Sequence, residues 1–187
     1  GTGALYMDYD RWPAQYNKVP MMADWGRNHL YLHRVKGDGA SYQQAEEHFI
    51  ELSQITDLDV DANGSMYLSA WDGAGYSGNP DKGFIVRAVP TNWKHSARPN
   101  FKKATVAQLA TFLLAKNGVT RLAAQQELLK RPAKEAASAT WRIVTTKSNP
   151  LESRVAAMYT YTQITQKEGT ANLLKLVDED QMKEYAI

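Results

Sequence analysis

The sequence predicts an α+β protein of two unlike parts, antiparallel β-propeller blades followed by an all-α solenoid. Three observations carry that expectation. Short strand-like runs separated by Gly, Asn and Asp turn signals fill residues 1–90, and helical spacing takes over from about residue 105. A tryptophan corner, Ala23-Asp24-Trp25-Gly26, returns 47 residues on as Ala70-Trp71-Asp72-Gly73, and propeller blades repeat every 40–50 residues or so. A helical segment, Thr120-Arg121-Leu122-Ala123-Ala124, returns 33 residues on as Ser153-Arg154-Val155-Ala156-Ala157, the period of stacked helix pairs.

Charge divides the chain in the same place. Residues 1–90 carry seven Lys and Arg against twelve Asp and Glu, whereas residues 91–187 carry fifteen against eight, so a net charge of +2 hides an acidic half and a basic half. The expected domains are blades over 1–90, a linker over 91–104 and helical repeats over 105–187. A hydrophobic content of 43% with 22% charged residues belongs to a folded chain rather than a disordered one. The absence of cysteine excludes disulfides, thiolate metal sites, a Cys nucleophile and covalent haem attachment within these residues. No apolar run approaches the roughly 20 residues of a membrane helix. The basic residues of the second half are scattered at helical spacing, so they read as a solvated helix surface, not a nucleic-acid footprint.

Taken in order, residues 1–16 are aromatic (Tyr6, Tyr9, Trp12, Tyr16) without a period and read as an irregular or edge segment. Strands are expected over 21–25, 30–35, 48–52, 55–61, 65–71 and 83–89. Asn63-Gly64 between two alternating runs is a strong short hairpin signal. Asp59, Asp61, Asn63 and Gly64 also match the opening of an EF-hand loop, but the position that should supply its bidentate carboxylate is Ala70, so a hairpin without metal is expected. His29 and His33 would share a strand face about 13 Å apart, too far for one ion. Two partial blades cannot close a ring, which takes at least about four, so further blades are expected outside these residues.

In the second half, Thr105 caps a run with Val106, Leu109, Phe112 and Leu113 on one face, stopped by Asn117-Gly118. Helices then follow over about 119–131, 133–147 and 151–166, with a fifth over 169–185 broken near Asp178. Ala123, Ala124, Ala156 and Ala157 suit close helix approach, and Met158, Tyr159 and Tyr161 read as core. No residue pattern in this half points to catalysis.

If the corners are blade turns, Asp24, Trp25, Arg27, Asn28, Trp71, Asp72, Tyr76 and Asn79 reach one rim, with the turn at 54–57 beside them. Asp24, Trp25 and Trp71 are expected to serve the fold, as turn acceptor and blade wedges. Arg27, Asp57, Asp72 and Tyr76 are the candidate ligand residues.

Asp10-Arg11-Trp12-Pro13, Ala23-Asp24-Trp25-Gly26-Arg27, Thr56-Asp57-Leu58-Asp59-Val60-Asp61 and Gly83-Phe84-Ile85-Val86-Arg87 give the chain a family likeness. It resembles the large bacterial extracytoplasmic proteins named as membrane-bound dehydrogenases. In them a propeller similar to glucose/sorbosone dehydrogenases precedes HEAT-like repeats, often with a c-type cytochrome domain beyond. The resemblance implies sugar or alcohol oxidation at the propeller face in the periplasm or cell envelope, with pyrroloquinoline quinone or c-type haem as cofactors of the intact protein. It also implies the remaining blades and downstream domains as partners. No Cys-x-x-Cys-His is present to hold haem, and no catalytic histidine or quinone cluster of that family can be matched here. The rival expectation is a non-catalytic scaffold that binds a glycan or a protein.

Overall fold

The computed structural model describes residues 1–73 and 77–186, in two compact units, Gly1–Arg98 and Pro99–Ile187. The first is built of two antiparallel sheets. One has the order β1 (Ala4–Met7), β2 (Val19–Asp24), β3 (His29–Asp38), β4 (Ser41–Glu51); the other has the order β5 (Ile55–Val60), β6 (Met66–Trp71), β7 (Gly83–Ala88).

Alternation builds the core of this unit. Met21 and Ala23 on β2 and Leu30 and Leu32 on β3 are buried, as are Leu58 and Val60 on β5 and Met66, Leu68 and Ala70 on β6. β5 lies against β1 and β2. Gly3 stands at that crossing, where a Cβ would come within 2.5 Å of Asp57 Oδ1 and 2.7 Å of Asp57 Cα. Two bulges break the ladders. Leu30 pairs with Ile50 but Tyr31 with His48, leaving Phe49 extra on β4. Ile55 pairs with Ala70 but Asp57 with Ser69, leaving Thr56 extra on β5.

The β5–β6 connection is a hairpin tip held by its own side chains. Asp61 Oδ1 accepts from the amides of Asn63 (2.8 Å) and Ser65 (3.0 Å), and the Asp61 carbonyl accepts from Gly64 N at 2.9 Å. The carboxylate oxygen that an EF-hand would aim at calcium is thereby occupied with turn amides. Trp12 Nε1 donates to Gly64 O at 2.7 Å and Trp93 Nε1 to Asn63 O at 2.7 Å. Asn63 Oδ1 accepts from Ser96 N at 3.0 Å, and Arg11 donates to Lys94 O and Ser96 Oγ. The 93–96 stretch, expected within a linker, is thus clasped to the hairpin.

The propeller expectation is corrected. The sheets have four and three strands and form two separate meanders, not closed blades around an axis. Each tryptophan corner ends a strand that lies inside its meander, β2 or β6. The 47-residue echo therefore records shared turn chemistry, not a repeated four-stranded unit.

The second unit corrects the solenoid expectation. Its helices are α1 (Val106–Phe112), α2 (Gly118–Leu128), α3 (Ala133–Thr145), α4 (Leu151–Thr165), α5 (Thr170–Leu173) and α6 (Lys183–Ala186). Thr105 caps α1 in a reciprocal box with Gln108. In a solenoid each repeat buries itself only on its neighbours. Here Phe101 and Val106 at the start share one core with Leu128, Val144, Met158, Leu176 and Met182 at the end.

The 33-residue echo has a local cause. Arg121 is buried and donates through Nη1 to the carbonyls of Ala115 (2.8 Å) and Lys116 (3.1 Å), just past α1. Arg154 is fully buried and donates through Nε to the Val144 carbonyl at the end of α3. Arg121 thus ties down the carbonyls of the turn that follows α1, and Arg154 an orphan carbonyl at the end of α3, so an arginine of each helix fastens the chain just before it.

Candidate functional site

A cleft of about 450 Å³ opens in the sheet unit, lined by Gly1, Thr2, Asp24, Trp25, Gly26, Thr56 and Trp71. Its size lies within the roughly 300–1,000 Å³ of small-molecule sites. Each wall follows from local structure. Asp24 is the last residue of β2, and Trp25 and Gly26 belong to the turn into β3. Thr56 is the extra residue of the β5 bulge, and Trp71 ends β6.

A relay of amides ties the two tryptophan corners together. Asn28 Oδ1 accepts from Gln54 N at 2.9 Å, and Gln54 Oε1 accepts from Gly73 N at 2.9 Å. The Asn28 carbonyl accepts from Leu52 N and the Gln54 carbonyl from Trp71 N. Both relay residues have left-handed backbones, φ 60° at Asn28 and 45° at Gln54. Such strain persists only where surrounding bonds over-determine it, and it collects at functional positions. The relay joins the turn that follows Trp25 to the strand end that carries Trp71.

The polar groups of the cleft are oriented by bonds of their own. Thr2 Oγ1 donates to Ile55 O at 2.7 Å, and Thr56 Oγ1 lies 2.8 Å from Ser69 Oγ. Asp24 Oδ1 accepts from Arg27 N at 2.9 Å, with Oδ2 3.9 Å from Arg27 Nε. Asp24 is the only ionisable side chain lining the cleft among the described residues. The arrangement offers two indole walls, one carboxylate and hydroxyl oxygens. It can stack a flat apolar face and bond the groups at its rim.

Of the four residues singled out from the sequence, Arg27, Asp57 and Asp72 are not among those lining the cleft. Arg27 is exposed beside it, with Nη1 3.7 Å from Glu46, and a hydrogen bond with Tyr31 holds its guanidinium above the ordinary range. Asp57 is exposed on β5 and accepts from Leu58 N. Asp72 is exposed just beyond β6, its amide bonded to Lys82 O. Tyr76 lies outside the described residues. The cleft is instead built by Asp24, Trp25 and Trp71, the residues expected to serve only the fold, together with Thr2 and Thr56. The signal that marks them is the corner echo itself, which places an aromatic beside an acid twice.

A second cavity, of about 580 Å³, lies in the helical unit between Val106, Pro132, Ser138 and Arg142. Its charged groups, Lys134, Glu135 and Arg142, are exposed, and no aromatic side chain lines it. No described helix is long and apolar enough to cross a membrane. Neither a family model, a curated protein nor a solved structure matches the chain.

Proposed function

We propose that the sheet unit binds a sugar or related polyol in the Trp25–Trp71 cleft. The observation that carries this reading is the pair of indoles lining one cleft with the Asp24 carboxylate and two threonines. A pyranose presents an apolar C–H face and a rim of hydroxyls, so indole walls take the ring while carboxylate and hydroxyl oxygens take the rim. The Asn28–Gln54–Gly73 relay supports it further, because corners joined in advance lower the ordering cost of binding.

With Asp24 as the one ionisable side chain lining the cleft among the described residues, the sheet unit is read as a binding module of the non-catalytic kind. Oxidation of the bound sugar or alcohol is the extension offered by the resemblance to membrane-bound dehydrogenases, with pyrroloquinoline quinone or c-type haem supplied by other parts of such a protein. A periplasmic or cell-envelope setting rests on that same resemblance. The helical unit is then an interaction or spacer module.

The test is titration of the full chain with neutral mono- and oligosaccharides, followed by tryptophan fluorescence and calorimetry. A saturable response is expected from at least one sugar, abolished by Trp71→Ala and weakened by Asp24→Asn, with circular dichroism unchanged. Binding that survives Trp71→Ala would overturn the assignment. So would a response to a quaternary ammonium ligand with none to any sugar, since indoles beside a carboxylate also suit such cations.

A further inference from the structure

Three of the four histidines of the chain lie on β3 and β4, and two of them meet. His29 opens β3 and His48 lies near the end of β4, with ring centroids 4.4 Å apart at an interplanar angle of 63°. The Phe49 bulge makes this encounter: it sets His48 across from Tyr31, two residues along β3 from His29, whose own cross-strand partner is Glu51. We propose that His29 and His48 form a two-imidazole site for a borderline divalent transition ion, with Cu²⁺ favoured.

The tautomer is set for it. His29 Nδ1 lies 2.7 Å from the Arg27 carbonyl. A carbonyl only accepts, so Nδ1 carries the proton and the neutral ring presents its lone pair on Nε2. A backbone carbonyl behind the distal ring nitrogen is the usual outer-shell support of a metal-binding histidine. Two nitrogens bound to one ion, each at about 2.0–2.1 Å, stand roughly 3–4 Å apart, a separation that rings 4.4 Å apart can reach by rotation about χ angles.

The rings also rest on a fixed floor. Tyr31, itself buried, packs 5.6 Å from His29 and 5.0 Å from His48, the latter edge-on at 83°. His48 is exposed and His29 half-buried, so an ion has access. Asp24 pairs with His29 across β2 and β3, and Glu46 lies two residues before His48 on the same strand. Arg27 reaches both carboxylates, at 3.9 and 3.7 Å, and Glu51 pairs with His29 from β4, so acidic residues outnumber the one base beside the pair. That field favours a cation.

No three His, Asp or Glu residues among the described ones converge as a metal cage, so water completes the coordination. Imidazole ligands with open positions suit tetragonal Cu²⁺, which also heads the affinity order of first-row divalent ions. His33 is not a ligand of this site. Its Nδ1 is bonded to the Gln44 amide at 2.7 Å, and its ring is buried.

The experiment titrates the full chain with Cu²⁺ alone, read by calorimetry and electron paramagnetic resonance. One equivalent should bind, with hyperfine structure from two imidazole nitrogens. His29→Ala and His48→Ala should each weaken binding by more than the about 10–100-fold that loss of an outer-shell partner costs. His95→Ala and Trp71→Ala should leave it unchanged, so the site is tested apart from the sugar cleft. Circular dichroism checks that each variant is folded. Binding retained in the folded double variant, as at the terminal amine, would overturn the assignment, as would no binding at micromolar Cu²⁺.

Discussion

Arg154 and Glu179 meet in two parallel bonds, Nη1 to Oε1 at 2.6 Å and Nη2 to Oε2 at 2.9 Å, and the third guanidinium contact, Nε to Val144 O, is 2.7 Å. Arg154 projects from α4, its Nε partner ends α3, and Glu179 belongs to the segment before α6. One side chain therefore joins three parts of the helical unit. Arg154→Ala would leave the Val144 carbonyl unpaired in the interior and the partly exposed Glu179 carboxylate without the guanidinium. The expected cost is about 3–5 kcal/mol, measured by urea unfolding of the helical transition. Glu179→Gln should cost less, because it keeps an acceptor for the guanidinium.

The same pair sets an acid limit. The hydrogen bond from Arg154 holds the Glu179 carboxyl below its ordinary 4.5, with burial opposing. A lowered folded value means that the unfolded chain binds the proton first. The stabilisation is complete above about pH 4.5 and is lost as pH falls through the folded value. Unfolding curves between pH 6 and about 3 should show this loss in the wild type and a shallower one in Glu179→Gln.

At the other extreme, Tyr9 governs the sheet unit. Burial, followed by the charges of Asp59, Asp8 and Asp61, pushes its phenol up from 10.0 to about 12. Its hydroxyl donates to Val60 O at 3.3 Å. Here the unfolded chain releases the proton first, so stability is full below pH 10 and declines as pH rises toward about 12. Tyrosinate absorbance should show a phenol titrating near 12, and Tyr9→Phe should remove that step.

Little of the first sheet's edges was legible in the sequence, and the reason is burial. β4 runs from Ser41 to Glu51, yet it is exposed on both faces until Phe49, so Tyr42, Gln43, Gln44 and Ala45 carry no alternation to read. β1 is four residues whose register comes from pairing with β2 and from the Gly3 crossing, neither visible locally. The buried strands β2, β3, β5 and β6 were legible because one face of each is apolar. The first four helices were legible to within a few residues through Thr105, Asn117, Pro132 and Pro150, whereas the fifth, expected over 169–185, is two short helices, α5 and α6, with turns between. The two echoes were real but local, a turn and a cap, and length alone made them resemble repeats. The cleft was half legible: its aromatics stood out, but the bulge that turns Thr56 into it depends on pairing with β6.

Gly64 offers a separate check on the hairpin tip. Its φ is +78°, and a Cβ there would lie 2.7 Å from Arg11 Cβ. Gly64→Ala should cost about 1–3 kcal/mol through backbone strain, with further loss from the displaced Arg11 and Trp12 contacts. Chemical denaturation followed by tryptophan fluorescence measures it, and Trp12→Phe, which gives up one buried hydrogen bond, should cost about 1 kcal/mol by comparison.

The clasp of Trp93 and Ser96 on Asn63 also has a mechanical meaning. Tension applied to the chain beyond residue 98 reaches these bonds before it reaches β7, whose Ile85 is 72% exposed and whose outer edge has no neighbouring strand in its sheet. Arg87 stacks on Trp93 at 5.2 Å and shares that load. The hairpin tip is thus an anchor point, and the strand least secured by its own sheet is shielded from force by side chains that follow it in the chain.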